Sequence, residues 1–126
     1  MQWNLLLAIG SGGFVGAILR FVISGWVQRA SGTLFPVGTL SVNILGSFII
    51  GFAALYFESV VSPQQKALVI TGMLGALTTF STFSLETVTM LQGGLYARAL
   101  GNVTLNAVLC VAATMIGMML FKRIYG

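Results

Sequence analysis

Apolar residues fill four long blocks of this chain, divided by short turns containing Gly, Ser, Pro or charge. A membrane-spanning helix needs about 20 mostly apolar residues, and the blocks predict four such helices at about residues 3–28, 36–59, 62–92 and 96–125. The first ends before Ala30-Ser31-Gly32-Thr33, and the second follows Pro36, whose fixed φ suits a first turn. The third opens on Ser62-Pro63-Gln64-Gln65, with Ser62 as cap and Gln65 as its capping-box partner, and closes at Gly93-Gly94. Lys122 and Arg123 anchor the end of the fourth at the interface. The block that starts at Trp3 lacks a basic leader region and exceeds a signal-peptide core, so it is expected to be a retained helix.

The third block departs from the pattern. Its middle reads Gly75-Ala76-Leu77-Thr78-Thr79-Phe80-Ser81-Thr82-Phe83-Ser84. Gly and clustered β-branched Thr form helices poorly, and hydroxyls beside the chain offer the backbone other partners. An unbroken helix over the block would run about 46 Å, against a hydrocarbon core of about 30 Å. A break near residues 75–79 gives two half-helices whose ends meet near mid-membrane. Lipid cannot satisfy the freed amides and carbonyls, so the broken backbone is expected to be buried in protein or to line a wet cavity. An ion site or pathway is the first functional expectation.

Composition sharpens this. Hydrophobic residues make up 57% of the 126 positions and charged residues 6%, which leaves room for one all-α integral membrane domain, 1–126, and no soluble one. With no His, no Asp and only Glu58 and Glu86 as acids, neither a metal-ligand cluster nor an activated nucleophile can be assembled, so an enzyme is not expected. The net charge of +4 comes from basic residues scattered at helix ends, which suits lipid headgroups rather than nucleic acid. Cys110 is the single cysteine, so it forms no intramolecular disulfide.

Four spans place Lys66, Lys122 and Arg123 on one side of the membrane and Arg29 and Arg98 on the other. Lys and Arg asymmetry fixes orientation, and here it is nearly absent, so the chain is expected to insert both ways. Four short helices also enclose a pore poorly. An antiparallel homodimer resolves both points by setting two broken helices together at the midplane.

Polar positions form stripes. On the fourth helix Asn102, Asn106, Cys110 and Thr114 recur every fourth residue, and on the second Thr39, Asn43 and Ser47 do the same. Interhelical packing and a polar pathway both account for such stripes. Phe80 and Phe83, three residues apart after the break, project from one face, and the positive edge of an aromatic ring is a weak partner for a small anion. The N-terminus of the second half-helix adds unpaired amides and positive potential. Carbonyls ending the first half-helix suit a small cation, for which two chains would supply four oxygens. Within the first helix, Gly12 and Gly16 form a GxxxG pair that invites close backbone approach. Arg20 lies farther along it, a functional candidate by its depth, with Glu86 or carbonyls as partners.

At the stretch from Thr71-Gly72 through Gly75 to Thr78-Thr79-Phe80-Ser81-Thr82-Phe83-Ser84, at Gly38-Thr39 to Asn43, and at Arg20, the chain resembles the Fluc (CrcB-type) fluoride channels. The likeness covers essentially the whole chain. It implies a dual-topology antiparallel homodimer in the bacterial plasma (inner) membrane, with two fluoride pores and a structural sodium ion at the dimer centre. By position, Phe80 and Phe83 become the pore ring pair, Asn43 a pore donor, Ser81, Thr82 and Thr114 a polar track, and Arg20 a vestibule residue. Gly75 and Thr78 become the sodium-coordinating carbonyls. Ala76 stands where members often carry a second Gly, and Cys110, a weak donor, stands at a position where members can carry Ser.

Fluoride is small and strongly hydrated, so a selective path must replace its water with many weak donors that still release it. Passive export of cytoplasmic fluoride down its gradient is the expected activity. A small multidrug transporter shares four short helices and antiparallel pairing but relies on a helix-one carboxylate; here that helix holds Arg20 and no acid, leaving Glu86 as the proton site. A regulatory membrane subunit without a path, its polar stripes serving as glue, is the third class.

Overall fold

Lipid leaves a chain of this composition one way to satisfy its amides, which is to form them into helices. The computed structural model describes residues 2–59 and 62–126. In order it contains α1 (Trp3–Ser31), α2 (Val37–Ser59), α3 (Pro63–Lys66), a π-helical segment (Ala67–Leu74), α4 (Gly75–Leu77), α5 (Phe80–Gln92) and α6 (Tyr96–Tyr125). Among the described residues four helical runs are long and apolar enough to cross a membrane, and the third, Pro63–Gln92, contains the break. The protein is a multi-pass membrane protein.

Local chemistry sets the ends. Ser62 accepts from the Gln65 amide at 3.4 Å and opens α3. Helix α1 continues past the expected end near residue 28 and stops at Gly32, whose φ of 66° is open to glycine at little cost. Gln28 ties the following turn: its Nε2 donates to the carbonyls of Thr33 and Phe35 at 2.8 and 2.9 Å, and its Oε1 accepts from the Gly38 amide at 3.0 Å. One side chain thus fixes where α2 departs from α1.

Two backbone seams organise the packing. Gly12 and Gly16 of α1 face the π-helical segment, where a Cβ on Gly16 would stand 2.9 Å from the Met73 carbonyl carbon. Gly72 answers from the other side, 3.0 Å from the Gly13 nitrogen by the same construction. The second seam joins α2 to α6 at Gly51 against Thr114 and at Gly117 against Phe48 and Phe52. Small residues let membrane helices gain van der Waals contact where no hydrophobic drive separates protein from lipid. Among the described residues a small buried apolar cluster gathers Val42 and Ala53 of α2 with Leu74 and Leu77, the two Leu lying just before the break. Large apolar residues such as Phe14 and Phe21 lie exposed on the outer surface. The π-helical turn had no counterpart in the sequence pattern, which registers apolar faces and not the hydrogen-bond step between turns.

Filling the first seam should cost more than filling open space. Gly16→Val is expected to lose about 1–3 kcal/mol by overpacking, whereas Gly10→Ala, with no neighbour within 4 Å, should gain up to about 1 kcal/mol of helix propensity. Denaturant titration in detergent micelles measures both. A Gly16→Val protein as stable as wild type would contradict the close seam.

Candidate functional site

The break lies at Thr78 and Thr79, both extended (φ −85°, ψ 154° and φ −148°, ψ 116°). Hydroxyls close the two half-helices on either side. Thr78 donates twice to the Leu74 carbonyl, from its amide at 3.2 Å and its Oγ1 at 3.1 Å, ending α4. Thr79 caps α5: its Oγ1 accepts from the Thr82 amide at 3.2 Å and donates to Thr82 Oγ1 at 3.0 Å. The backbone of Thr79 itself is served from α2. Its N–H donates to Asn43 Oδ1 at 2.8 Å, and its carbonyl accepts from Asn43 Nδ2 at 3.3 Å. One amide therefore pairs both backbone groups of the residue that left the helix, as a neighbouring strand would.

This diversion frees carbonyls. In a continuous helix the Thr79 N–H would bond Gly75 and the Thr82 N–H would bond Thr78. Here those donors go to Asn43 and to the Thr79 hydroxyl, so the carbonyls of Gly75 and Thr78 lose their helical partners. The intervening Ala76 carbonyl accepts from Arg20 Nε at 2.9 Å. Arg20 thus meets a carbonyl rather than Glu86, placing a cation at the negative end of a helix. Glu86 turns to α2, where its Oε2 accepts from Thr39 Oγ1 at 2.9 Å; its Oε1 is buried with no hydrogen-bond partner.

The α6 stripe is largely bonded within the protein. Asn43 Nδ2 donates to Asn106 Oδ1 at 3.1 Å, and Asn106 Nδ2 donates to the Asn102 carbonyl and Oδ1 at 2.9 and 3.0 Å. Asn102 Nδ2 donates to Thr87 Oγ1 at 3.0 Å, which donates to the Phe83 carbonyl at 2.8 Å. Thr114 shares its proton between the Ser47 and Cys110 carbonyls at 3.0 and 3.1 Å, fastening α6 to α2.

A cavity of about 540 Å³ opens beside the break, walled by α2, the π-helical segment, α4, α5 and α6. Asn43, Gly75, Thr78, Phe80 and Phe83 all line it. The Phe80 and Phe83 rings meet edge to face, centroids 5.3 Å apart, and Phe80 is 78% exposed. Cys110 joins the lining, whereas Ser81, Thr82, Thr114 and Arg20 stand outside it. Ser81 and Thr82 cluster on the Thr79 hydroxyl instead. Among the described residues no group of three His, Cys, Asp or Glu could hold a metal.

Sequence reasoning missed Thr79, whose side chain caps one half-helix while its backbone holds α2. A Thr three residues before Thr82 at a helix start is an N-cap signal that would have found it. Thr87 carried no such sign, because its role depends on how α5 meets α6.

The family described as "CrcB-like protein, Camphor Resistance (CrcB)" matches residues 7–118. A Sulfurovum sp. protein named "Fluoride-specific ion channel FluC" is 82% identical over 126 residues, covering 100% of both chains. A Nitratiruptor sp. protein of the same name is 56% identical over 126 residues, 100% of this chain and 98% of its own. One from Shewanella woodyi, also so named, is 48% identical over 123 residues, 96% of this chain and 99% of its own.

Removing the α2 partner should strand the Thr79 backbone. Asn43→Leu is expected to destabilise the chain by about 1–3 kcal/mol for each backbone group left unpaired. Thr79→Ala should cost about 0.5–2 kcal/mol through the lost cap, with Thr79→Ser close to wild type. Unfolding midpoints in detergent give the ranking, and an unchanged midpoint for Asn43→Leu would show that its amide does not hold the break.

Proposed function

The chain belongs to the CrcB-like family, and from that premise we propose that it is a fluoride-specific channel that passively exports cytoplasmic fluoride across the bacterial inner membrane. The observation that carries this is the break at Thr78 and Thr79, open to a cavity walled by the Phe80 and Phe83 rings. Its relatives are named as channels, and the chain is not an enzyme.

The chemistry along the cavity suits a small anion held weakly. Ring edges of Phe80 and Phe83 offer a positive rim in a mostly apolar wall, and the N-terminus of α5 adds its dipole. Both Nδ2 hydrogens of Asn43 are engaged, and the bond to the Thr79 carbonyl is the longer, at 3.3 Å. An arriving fluoride would accept that hydrogen bond in place of the Thr79 carbonyl, which accepts it again when the ion leaves, so Asn43 keeps its N–H and acts as donor without a standing vacancy. Ser81 and Thr82 extend the hydroxyls beyond the rings, Thr114 holds the α2–α6 wall, and Arg20 draws anions toward the break while fixing the Ala76 carbonyl. None of these groups presents a bare charge to the cavity lining, which keeps release fast.

The working unit in this proposal is an antiparallel dual-topology homodimer with two pores. It is supported by the near-even split of basic residues and by a polar break facing an open cavity, which a second copy would cover. A structural sodium ion at the dimer centre fits the donor set: the Gly75 and Thr78 carbonyls have lost their helical donors, and neutral oxygens suit a hard monovalent cation. Two copies would offer four such oxygens, and the cation would neutralise the facing carbonyl dipoles.

Purified protein in liposomes should release fluoride well above protein-free vesicles and release chloride far more slowly; equal release with and without protein sinks the channel. Phe80→Ile and Phe83→Ile should each slow fluoride efflux about tenfold, the equivalent of about 1.4 kcal/mol of lost ring-edge contact, with the dimer intact by cross-linking. Wild-type efflux in both would reduce the rings to packing.

Dual insertion is checked separately. With Cys110 replaced and one cysteine added at the C-terminus, an impermeant thiol reagent should label about half the molecules in intact cells, as equal insertion requires. Wholly one-sided labelling would rule out the antiparallel pair.

A further inference from the structure

We propose that Asn106, backed by Asn102 and Thr87, is a positioning residue for the break, holding the Asn43 amide on the Thr79 backbone. This rests on the break being the working part of the channel, and it concerns residues to which no role has so far been attached. The Asn43 side chain has two alternatives. It can stay on Thr79, or it can swing away and let the Thr79 N–H return to the Gly75 carbonyl, re-forming the helix. Something must favour the first.

The hydrogen-bond chain supplies that bias, and its direction is set at both ends by groups that cannot reverse. Asn106 Nδ2 points at the Asn102 carbonyl, 2.9 Å away, and a backbone carbonyl only accepts. Asn106 Oδ1 is thereby turned toward α2, where it takes a hydrogen of Asn43 Nδ2 at 3.1 Å. With Nδ2 drawn to α6 and to the Thr79 carbonyl, Asn43 Oδ1 is left facing the Thr79 N–H at 2.8 Å. At the far end, Thr87 Oγ1 gives its proton to the Phe83 carbonyl and so must accept from Asn102, which aims Asn102 Oδ1 at Asn106. Asn102 is 1% exposed and lies away from the cavity, so water is no substitute for its bonds, whereas Asn106, 7% exposed, lines the cavity beside Asn43. The same chain ends on the Phe83 backbone carbonyl, linking the residue that carries one ring to the Thr79 backbone through three side-chain amides and the Thr87 hydroxyl.

A double-mutant cycle on the full chain in lipid tests this, with two readouts: fluoride efflux, and the Thr79 backbone amide resonance in protein carrying isotope-labelled threonine. Asn106→Leu should slow efflux about tenfold, the scale of one lost buried hydrogen bond, and displace the Thr79 resonance. Asn102→Leu should do both to a smaller extent, since Asn106 keeps the residue-102 carbonyl. Neither change should add to the effect of Asn43→Leu. Multiplying effects of Asn106→Leu and Asn43→Leu, or an unmoved Thr79 resonance in folded Asn106→Leu, overturns the proposal. If the leucine variants do not fold, Thr87→Val decides alone: a displaced Thr79 resonance supports the relay and an unmoved one refutes it. The resonance reports the relay whether or not fluoride passes, and wild-type efflux judges the channel on its own.

Discussion

One side-chain amide facing one backbone residue is the contact on which this molecule depends. In water a broken helix would hydrate its loose N–H and carbonyl at little cost. In a bilayer the same groups would be stranded at several kcal/mol each. Asn43 converts that penalty into structure by pairing both backbone groups of Thr79 at once. The carbonyls of Gly75 and Thr78 become available because their helical donors have been taken elsewhere, and the Phe rings start a new helix at the angle the extended Thr pair dictates.

That amide reaches the break only because backbones approach closely on two sides. Gly46 follows Asn43 by three residues on α2 and sits against the Thr78 methyl, so α2 lies directly on the break. Gly38 lets α2 meet α1 at Ser24, and Gly51 lets it meet α6 at Thr114. The small-residue pattern of α2 is thus as much a part of the site as its one Asn. The polar stripe of α6 serves in packing, and part of it also lines the cavity. Its Asn102 and Asn106 are interhelical glue, and the glue terminates on the cavity wall.

The four spans and the break in the third were legible because both are written in local composition: long apolar blocks, and Gly with clustered Thr inside one of them. The end of α1 was less so, since helix can continue through Ala30 and Ser31 until Gly32 stops it. Of the site positions named from the sequence, Asn43, Gly75, Thr78, Phe80 and Phe83 gather around one cavity, while Ser81, Thr82, Thr114 and Arg20 lie outside it. What no periodicity could reveal was partnership across helices. Arg20 had Glu86 and carbonyls as candidates, and only the packed distances assign it to Ala76 and assign Glu86 to Thr39. The π-helical segment and the Thr87 link escaped for the same reason, being set by neighbours far away in the chain.

The third span also carries a symmetry of depth. Helical backbone occupies residues 63–77 before the break and Phe80–Gln92 after it, two arms of comparable reach. Turned upside down in the bilayer, the span would bring its break to nearly the same level. Length alone therefore favours neither arm of this segment. With arms of comparable length, a bilayer that thins or swells would be met by a change of tilt in both arms alike.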